Sequence, residues 1–228
     1  KPIIDFVESN NINLKYILNT HHHHDHIGGN DKVVARTGAQ VLAHSGARSQ
    51  IPGMDIGLNA GDLIKLGNSV ELQVMDTPGH TMSHVCLKSL TDIPALFAGD
   101  TLFNAGAGNC KGGGHPDDLY NTFSNQLAQL PDNTLIYPGH DYIINNLEFT
   151  LDREPENNRA RELLMKLENH DPNQAIITNI GLEREINTFL RLNNDNIISK
   201  LRESFSDLPD ILDEKTVFIK LRELRNNW

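Results

Sequence analysis

The sequence has few of the residues that build disulfide scaffolds, nucleic-acid-binding surfaces or membrane spans. Its 228 residues include only two cysteines, Cys86 and Cys110, which are too few for a disulfide scaffold and are typical of a reduced, cytoplasmic compartment. Acidic residues outnumber basic ones by 30 to 20, and the net charge of −10 argues against nucleic acid as a partner. No run of about 18 apolar residues occurs, so no membrane span is predicted.

What remains is the composition of an ordinary globular protein, with 38% hydrophobic and 22% charged residues. The length suits one large domain, or a medium domain followed by a small one. The first residues are Lys-Pro-Ile-Ile rather than methionine, and no signal peptide is visible. We therefore expect a fragment or a processed form. None of these features predicts an oligomeric state.

The apolar pattern of the chain changes near residue 145. Before that point, short apolar runs bounded by turn residues predict strands at 16–18, 41–44, 62–67, 70–76, 85–90, 95–100 and 134–137. Amphipathic spacing predicts helices at 3–8, 30–38 and 117–130, and after the change at 156–169, 196–205 and 213–225. We expect an α/β fold with a catalytic domain at 1–145 and a helical, substrate-binding domain at 146–228.

Histidines are concentrated at the ends of predicted strands. Five of the 11 histidines lie in the stretch HHHHDH at 21–26, directly after the first strand. Such a run is also typical of an expression tag or a solvated loop, but this one is short and internal. His80 and His140 each follow a Pro-Gly turn, and Asp100 ends a further strand. The ends of strands meet at one rim of a sheet, where ligand sites of α/β proteins collect.

Together these positions supply five imidazoles and two carboxylates, which predict a metal site. In an extended chain His21 and His23 point to the same side, so they can share one ion. Seven ligands are too many for one tetrahedral ion and fit two ions about 3.5–4 Å apart. Imidazole and carboxylate without thiolate suit zinc best, with iron or manganese as alternatives.

The segment Thr-His-His-His-His-Asp-His at 20–26 resembles the THxHxDH signature of the metallo-β-lactamase superfamily. The resemblance implies a four-layer αββα sandwich followed by an α-helical domain, with the superfamily's first strands missing from this sequence. It implies one metal held by His21, His23 and His80 and a second held by Asp25, His26 and His140. Asp100 is implied as the carboxylate between them, and Asp25 and Asp100 as the catalytic ligands.

Further segments are similar to the hydroxyacylglutathione hydrolase (glyoxalase II) family. They are TPGHT at 77–81, GDTLF at 99–103, PGHDY at 138–142, NNLEF at 145–149, REPEN at 153–157, INTFLR at 186–191 and LRELRNNW at 221–228. The resemblance implies hydrolysis of a thioester, S-(2-hydroxyacyl)glutathione, to a hydroxy acid and a thiol. It also implies substrate contacts from Tyr142, Arg222 and Arg225.

One segment departs from that family. After GDTLF the chain reads NAGAGNCKGGGHP at 104–116, without the family's aromatic contact to glutathione. Lys111 lies near the family's basic position and retains a charge for the substrate. The Gly-rich stretch is equally typical of a flexible loop and of a redesigned substrate loop.

Several activities share this superfamily signature. A persulfide dioxygenase, a lactonase and a phosphodiesterase would each keep some or all of the ligands. A non-enzymatic metal-binding protein is a further alternative. Retention of all seven ligands and the helical C-terminal part favour the thioester hydrolase.

Overall fold

In the computed structural model, which describes residues 1–168, 170–171 and 174–228, the N-terminal part forms a parallel sheet. Its strands are β1 (Tyr16–Leu18), β2 (Gln40–His44) and β3 (Met54–Leu58), in the order β1-β2-β3. The helices beside this sheet are α1 (Pro2–Ser9), α2 (His24–Ile27) and α3 (Asn30–Thr37), with a 3-10 turn at Ser45–Ala47. The predicted elements at 3–8, 16–18, 30–38 and 41–44 are thus confirmed, and β3 is an addition to them.

The second sheet has six strands in the order β11-β10-β7-β6-β5-β4. Their bounds are β4 (Leu63–Leu66), β5 (Val70–Asp76), β6 (Val85–Ser89), β7 (Ala95–Gly99), β10 (Leu135–Pro138) and β11 (Thr178–Asn179). Among the described residues of this sheet, β7 and β10 form the one parallel pair, so both strands end at the same edge of the sheet. A two-stranded hairpin, β8 (Leu102–Phe103) with β9 (Gly106–Ala107), follows β7.

Alternating side chains build the four-layer sandwich. Leu42 of β2 packs with Leu72, Val74, Val85 and Leu87 of the second sheet. The residues on either side of it, Val41 and Ala43, pack on the opposite face beside Ile27 and Val34 of the N-terminal helices. Because side chains of a strand point alternately to its two faces, one apolar strand contributes to two core layers. The expected αββα fold is confirmed.

The remaining helices cover the outer face of the second sheet and form the C-terminal part. They are α4 (Pro116–Asn125), α5 (Ile143–Arg153), α6 (Asn158–Leu167), α7 (Ile180–Ile186), α8 (Asp195–Ser204) and α9 (Glu214–Arg225). The predicted helices at 196–205 and 213–225 correspond to α8 and α9. The helix predicted at 156–169 corresponds to α6, and residue 169 lies outside the described residues.

The helix predicted at 117–130 is shorter than its apolar spacing indicated. It ends at Asn125, because Gln126 leaves helical geometry with φ −124° and ψ −61°. A 3-10 turn at Leu127–Gln129 follows. Leu127 and Leu130 are still buried in the same core as Phe123, so the apolar spacing correctly indicated burial although the regular helix had ended.

One apolar cluster joins the second sheet to the C-terminal helices. Leu96 of β7 and Phe123 of α4 share it with Phe149, Phe189 and Phe218 from the C-terminal part of the chain. This packing places the end of α9 beside the loop that follows β9. None of the helices among the described residues is both long and apolar enough to cross a bilayer.

Candidate metal centre

The seven predicted ligands converge at one rim of the sandwich. His21 and His23 follow β1, while Asp25 and His26 lie on the short helix α2. The other three, His80, Asp100 and His140, lie in the loops after β5, β7 and β10. The described residues contain three groups whose ligand atoms lie within 4.8 Å of one another: His21, His23 and His80; His21, His26 and Asp100; and Asp25, His26 and His140.

Glycine at 139 allows two of these loops to approach each other. The Gly139 N–H donates to the Gly99 carbonyl at 2.8 Å. A Cβ on residue 139 would lie 2.2 Å from Asp100 Oδ1, closer than any side chain tolerates. The Gly before His140 therefore admits the Asp100 carboxylate to the site, in addition to forming the turn.

In the first group, three ring nitrogens face one another. His23 Nδ1 lies 3.1 Å from His21 Nε2 and 2.9 Å from His80 Nε2. The outer nitrogens of two of these rings donate to backbone carbonyls: His23 Nε2 to Gly112 O at 2.9 Å and His80 Nδ1 to Asn109 O at 2.7 Å. A carbonyl can only accept, so in the neutral rings the inner nitrogens of His23 and His80 carry lone pairs. Lone pairs pointing at one another fit a bound cation.

The second group contains two imidazoles and a carboxylate. His140 Nε2 lies 3.1 Å from His26 Nε2 and 3.1 Å from Asp25 Oδ2. Asp25 Oδ2 also lies 3.5 Å from His26 Nε2. This set has the nitrogen and oxygen donors that zinc, iron and manganese accept.

Asp100 lies between the two groups. Its Oδ1 is 3.3 Å from His26 Nε2, and its Oδ2 is 3.4 Å from His140 Nε2 and 3.6 Å from His80 Nε2. The Oδ1 atom is buried and accepts no hydrogen bond from the described residues. A buried carboxylate oxygen without a donor is costly, and a cation at this position would remove that cost. The donor set therefore fits two cations.

Burial favours the neutral form of His21 and His80 in the first group. Desolvation, followed by the neighbouring imidazoles, lowers the pKa of His21, and desolvation also lowers the pKa of His80. The pKa of His26 is raised: burial opposes protonation, but the carboxylates of Asp100 and Asp25 outweigh it. His22 and His24 belong to none of the three groups found among the described residues.

His84 supports the site and was not predicted from the sequence. It is fully buried behind Asp100, and its Nε2 accepts from the Asp100 backbone N–H at 3.3 Å. Its Nδ1 lies 2.8 Å from Thr77 Oγ1 and 3.1 Å from Thr101 Oγ1. Burial lowers the pKa of His84, so it is a neutral acceptor that fixes the backbone of Asp100. The only signal in the sequence is its position four residues after His80.

A cavity of about 220 Å³ adjoins the ligands. The Tyr142 ring stacks on His140, with centroids 5.3 Å apart. The cavity is lined by the four predicted substrate contacts, Lys111, Tyr142, Arg222 and Arg225. Five further residues also line it: Phe103, Ala107, Asn109, Asn146 and Asn226. Arg225 is half-buried, whereas Arg222 is buried.

Comparisons with known proteins identify the family of the chain. Residues 3–140 match the family model of the metallo-beta-lactamase superfamily, and residues 141–228 match that of the hydroxyacylglutathione hydrolase C-terminus. Hydroxyacylglutathione hydrolases of Nitrosococcus oceani and of a Polaromonas species are each 60% identical over 215 residues, which is 94% of this chain and 82% of the relative.

Solved structures share the fold at lower identity. The crystal structure of ETHE1 from Myxococcus xanthus superposes with a TM-score of 0.62 at 23% identity, over 98% of this chain and 82% of that one. TTHA1623 in a di-iron-bound form gives a TM-score of 0.57 at 24% identity, over 83% and 84%. These likenesses concern the fold alone.

Proposed function

The chain belongs to the hydroxyacylglutathione hydrolase family of the metallo-beta-lactamase superfamily, and on that premise we propose that it hydrolyses S-(2-hydroxyacyl)glutathione with two divalent cations. Water adds its oxygen to the thioester carbonyl carbon, the carbon–sulfur bond breaks, and the products are a 2-hydroxy acid and glutathione. The observation that carries the proposal is the pair of ligand groups on either side of Asp100, beside a cavity that contains basic side chains.

The proposed cations are zinc, with iron or manganese as alternatives that accept the same donors. His21, His23 and His80 would hold one cation, and Asp25, His26 and His140 the other. Asp100 would contact both. Cations at these sites supply Lewis acidity and lower the pKa of coordinated water from about 15.7 to near 7.

The protein itself needs to supply little acid–base chemistry to a thioester. A departing thiolate has a pKa near that of free cysteine, about 8.5, so it leaves without a strong general acid. Asp25 and Asp100 would supply negative charge to the cations and fix their positions beside the reacting carbonyl. Tyr142, which stacks on His140, lies between the ligands and the cavity and is placed to orient the acyl-sulfur end of the substrate.

The cavity supports binding of a carrier with carboxylates. The chain as a whole has a net charge of −10, yet Lys111 and Arg225 line this cavity. A planar guanidinium can donate two parallel hydrogen bonds to a carboxylate. Lys111 Nζ donates to the Asn226 carbonyl at 3.1 Å, which places its charge at the cavity wall. We propose that these two side chains bind the carboxylates of glutathione.

Arg225→Ala is expected to raise KM for S-lactoylglutathione roughly ten- to hundredfold, the equivalent of one charge-assisted hydrogen bond. The effect on kcat should be smaller, because the carrier lies away from the reacting carbonyl. Steady-state kinetics at two ionic strengths measure it, and the rise in KM should shrink with added salt. Lys220→Ala, on the same helix but outside the cavity, is the control. An unchanged KM in Arg225→Ala would contradict the carboxylate contact.

Cys86→Ser and Cys110→Ser are expected to keep near-normal kcat. Burial raises the pKa of Cys86 to about 12 and that of Cys110 to about 11, so both are thiols rather than nucleophilic thiolates at neutral pH. Both are free cysteines, which is also what a reduced, cytoplasmic location would require. Loss of turnover in either folded, cation-loaded variant would point to covalent catalysis.

The proposed function is tested by combining a substrate screen with elemental analysis. We expect the cation-replete protein to hold close to two ions per chain and to release a thiol from S-lactoylglutathione. Lactones, phosphodiesters and thioesters of other carriers serve as comparison substrates. Saturation at one ion would contradict the two-cation site. Turnover of another class, without any glutathione thioester, would contradict the substrate assignment.

A further inference from the structure

The loop at 104–116 contacts the metal ligands through its backbone. It supplies the two carbonyls, of Asn109 and Gly112, that accept from His80 and His23. A Cβ on residue 112 would lie 2.4 Å from His23 Nε2, so this close approach requires glycine. Outer acceptors of this kind fix the tautomer and orientation of a ligating imidazole. The position of the loop therefore matters to the first ligand group.

Arg222 of α9 holds the same loop from the other side. Its Nη1 donates to the Ala107 carbonyl at 2.7 Å and to the Gly108 carbonyl at 3.3 Å. Ala107 and Gly108 immediately precede Asn109. The side chain is buried, with a residue exposure of 5%, and its guanidinium carbon lies 5.3 Å from the centre of the Phe189 ring. The geometry is that of a clamp between the C-terminal helix and the loop.

The charge of Arg222 has no carboxylate partner among the described residues; the ion pairs found there do not include it. Burial, and then the neighbouring Arg225, lower the pKa of Arg222 to about 10, so it remains charged at neutral pH. A buried charge is tolerated when hydrogen bonds satisfy it, and here two backbone carbonyls accept from it. The Arg222 Nε is also buried and has no hydrogen-bond partner among the described residues, so the two carbonyls satisfy the guanidinium only in part.

We propose that Arg222 is a positioning residue for the metal centre: it fixes residues 107–108 of the loop, and the carbonyls of Asn109 and Gly112 further along the same loop orient His80 and His23. The inference rests on the proposed function, since it assumes that these histidines ligate. It assigns to the C-terminal helix a role in cation affinity in addition to substrate binding. It also separates two arginines that lie three residues apart on one helix, with Arg222 holding the loop and Arg225 facing the carrier.

Cation binding tests the proposal without turnover. Co²⁺ affinity is measured by competition with a chromophoric chelator, and the visible absorption of bound Co²⁺ reports ligand geometry. Arg222→Met, which keeps an apolar stem in the buried site, is expected to weaken Co²⁺ binding roughly 10–100-fold and to alter the spectrum. Arg222→Lys keeps a charged donor and should recover part of the affinity. Arg225→Ala is the matched control and should match the unmodified protein in both readouts.

A folded Arg222→Met variant with unchanged Co²⁺ affinity and spectrum would overturn the proposal. If KM rose in that variant, Arg222 would be assigned to carrier binding instead. Unfolding of both Arg222 variants would also overturn it, by showing that the arginine is needed for the fold as a whole. Failure of the unmodified protein to cleave any glutathione thioester would contradict the proposed function and leave these cation measurements valid.

Discussion

Asp100→Ala is expected to lower kcat for S-lactoylglutathione at least about 10²–10³-fold, the range for removal of a group that stabilises charge in the transition state. Its two carboxylate oxygens face His26 on one side and His80 and His140 on the other. Removing them leaves both ligand groups without their shared negative charge. We therefore expect cation content to fall together with kcat.

The fold should survive this substitution. His84 contacts the backbone N–H of Asp100 rather than its side chain, so the strand end keeps its support. Circular dichroism and elemental analysis accompany the kinetics. Asp92→Asn, an exposed carboxylate on the loop between β6 and β7, is the matched control. A folded Asp100→Ala variant that held both cations and turned over normally would show that Asp100 does not link the two groups.

The convergence of the seven candidate ligands could be predicted from the sequence because their signals are local. Four of them lie within residues 21–26, and the other three follow a Gly or Pro-Gly at or just after the end of a strand. A buried strand is recognised from a short run of residues, and the parallel pairing of β7 with β10 then brings Asp100 and His140 to one edge. The sheets were predictable for the same reason.

Weak local signals explain the elements that were missed. Strand β3 reads Met-Asp-Ile-Gly-Leu, where two of the five residues disfavour strands, and it exists because it pairs with β2. Strand β11 has two residues and is defined by its pairing with β10. At Gln126 the apolar spacing continued although the helix ended, because burial of Leu127 and Leu130 needs only the right position and not helical geometry.

The residues that support the site could not be predicted from the sequence because their contacts are long-range. Arg222 reaches a carbonyl 115 positions away, and Glu183 reaches the Ala105 N–H 78 positions away. In both contacts the partner is a backbone group rather than a side chain. A backbone carbonyl or N–H leaves no mark on the residue type, so the Gly-rich loop was equally consistent with flexibility. In the structure residues 104–108 of this loop are buried.

Glu183 is the second support of that segment and the basis of the last prediction. The carboxylate is fully buried on α7. Its Oε2 accepts from the Ala105 N–H at 2.8 Å and from Asn187 Nδ2 at 2.9 Å, and its Oε1 lies 2.7 Å from Thr178 Oγ1. Ala105 has a left-handed backbone, with φ 57°, which a residue with a Cβ rarely adopts. The hydrogen bond that the Ala105 N–H donates to Glu183 helps to hold it there.

Glu183→Ala is expected to lower the free energy of unfolding by about 2–4 kcal/mol, because the buried donors of Ala105 and Asn187 lose their acceptor at about 1–3 kcal/mol each. Glu183→Gln should keep most of this stability. Its amide oxygen can accept from the same two donors, and its NH₂ can donate to Thr178 Oγ1. That hydroxyl can in turn donate to Asn104 Oδ1, 3.1 Å away.

The two carboxylate-free variants also differ from the unmodified protein in their pH dependence. Burial raises the pKa of Glu183 from 4.5 to about 7, against the hydrogen bonds from Thr178, Asn187 and Ala105 that lower it. The folded state therefore binds the proton more tightly than the unfolded chain. This group's contribution to stability is complete below about pH 4.5, falls as the pH rises to about 7, and is constant above that. The total fall corresponds to about 3 kcal/mol.

Urea unfolding of the protein and of Glu183→Gln between pH 4.5 and 8 measures this contribution of Glu183 to the free energy of unfolding. The two proteins differ only at residue 183, so the contributions of the other groups cancel in the difference. We expect the stability of Glu183→Gln, relative to that of the unmodified protein, to rise by about 3 kcal/mol over this range. Parallel curves would mean that Glu183 stays ionised when folded. In that case the three hydrogen-bond donors would cancel the rise in the Glu183 pKa that burial causes. Glu183 would then hold residues 104–106 as an anion rather than as a neutral acid.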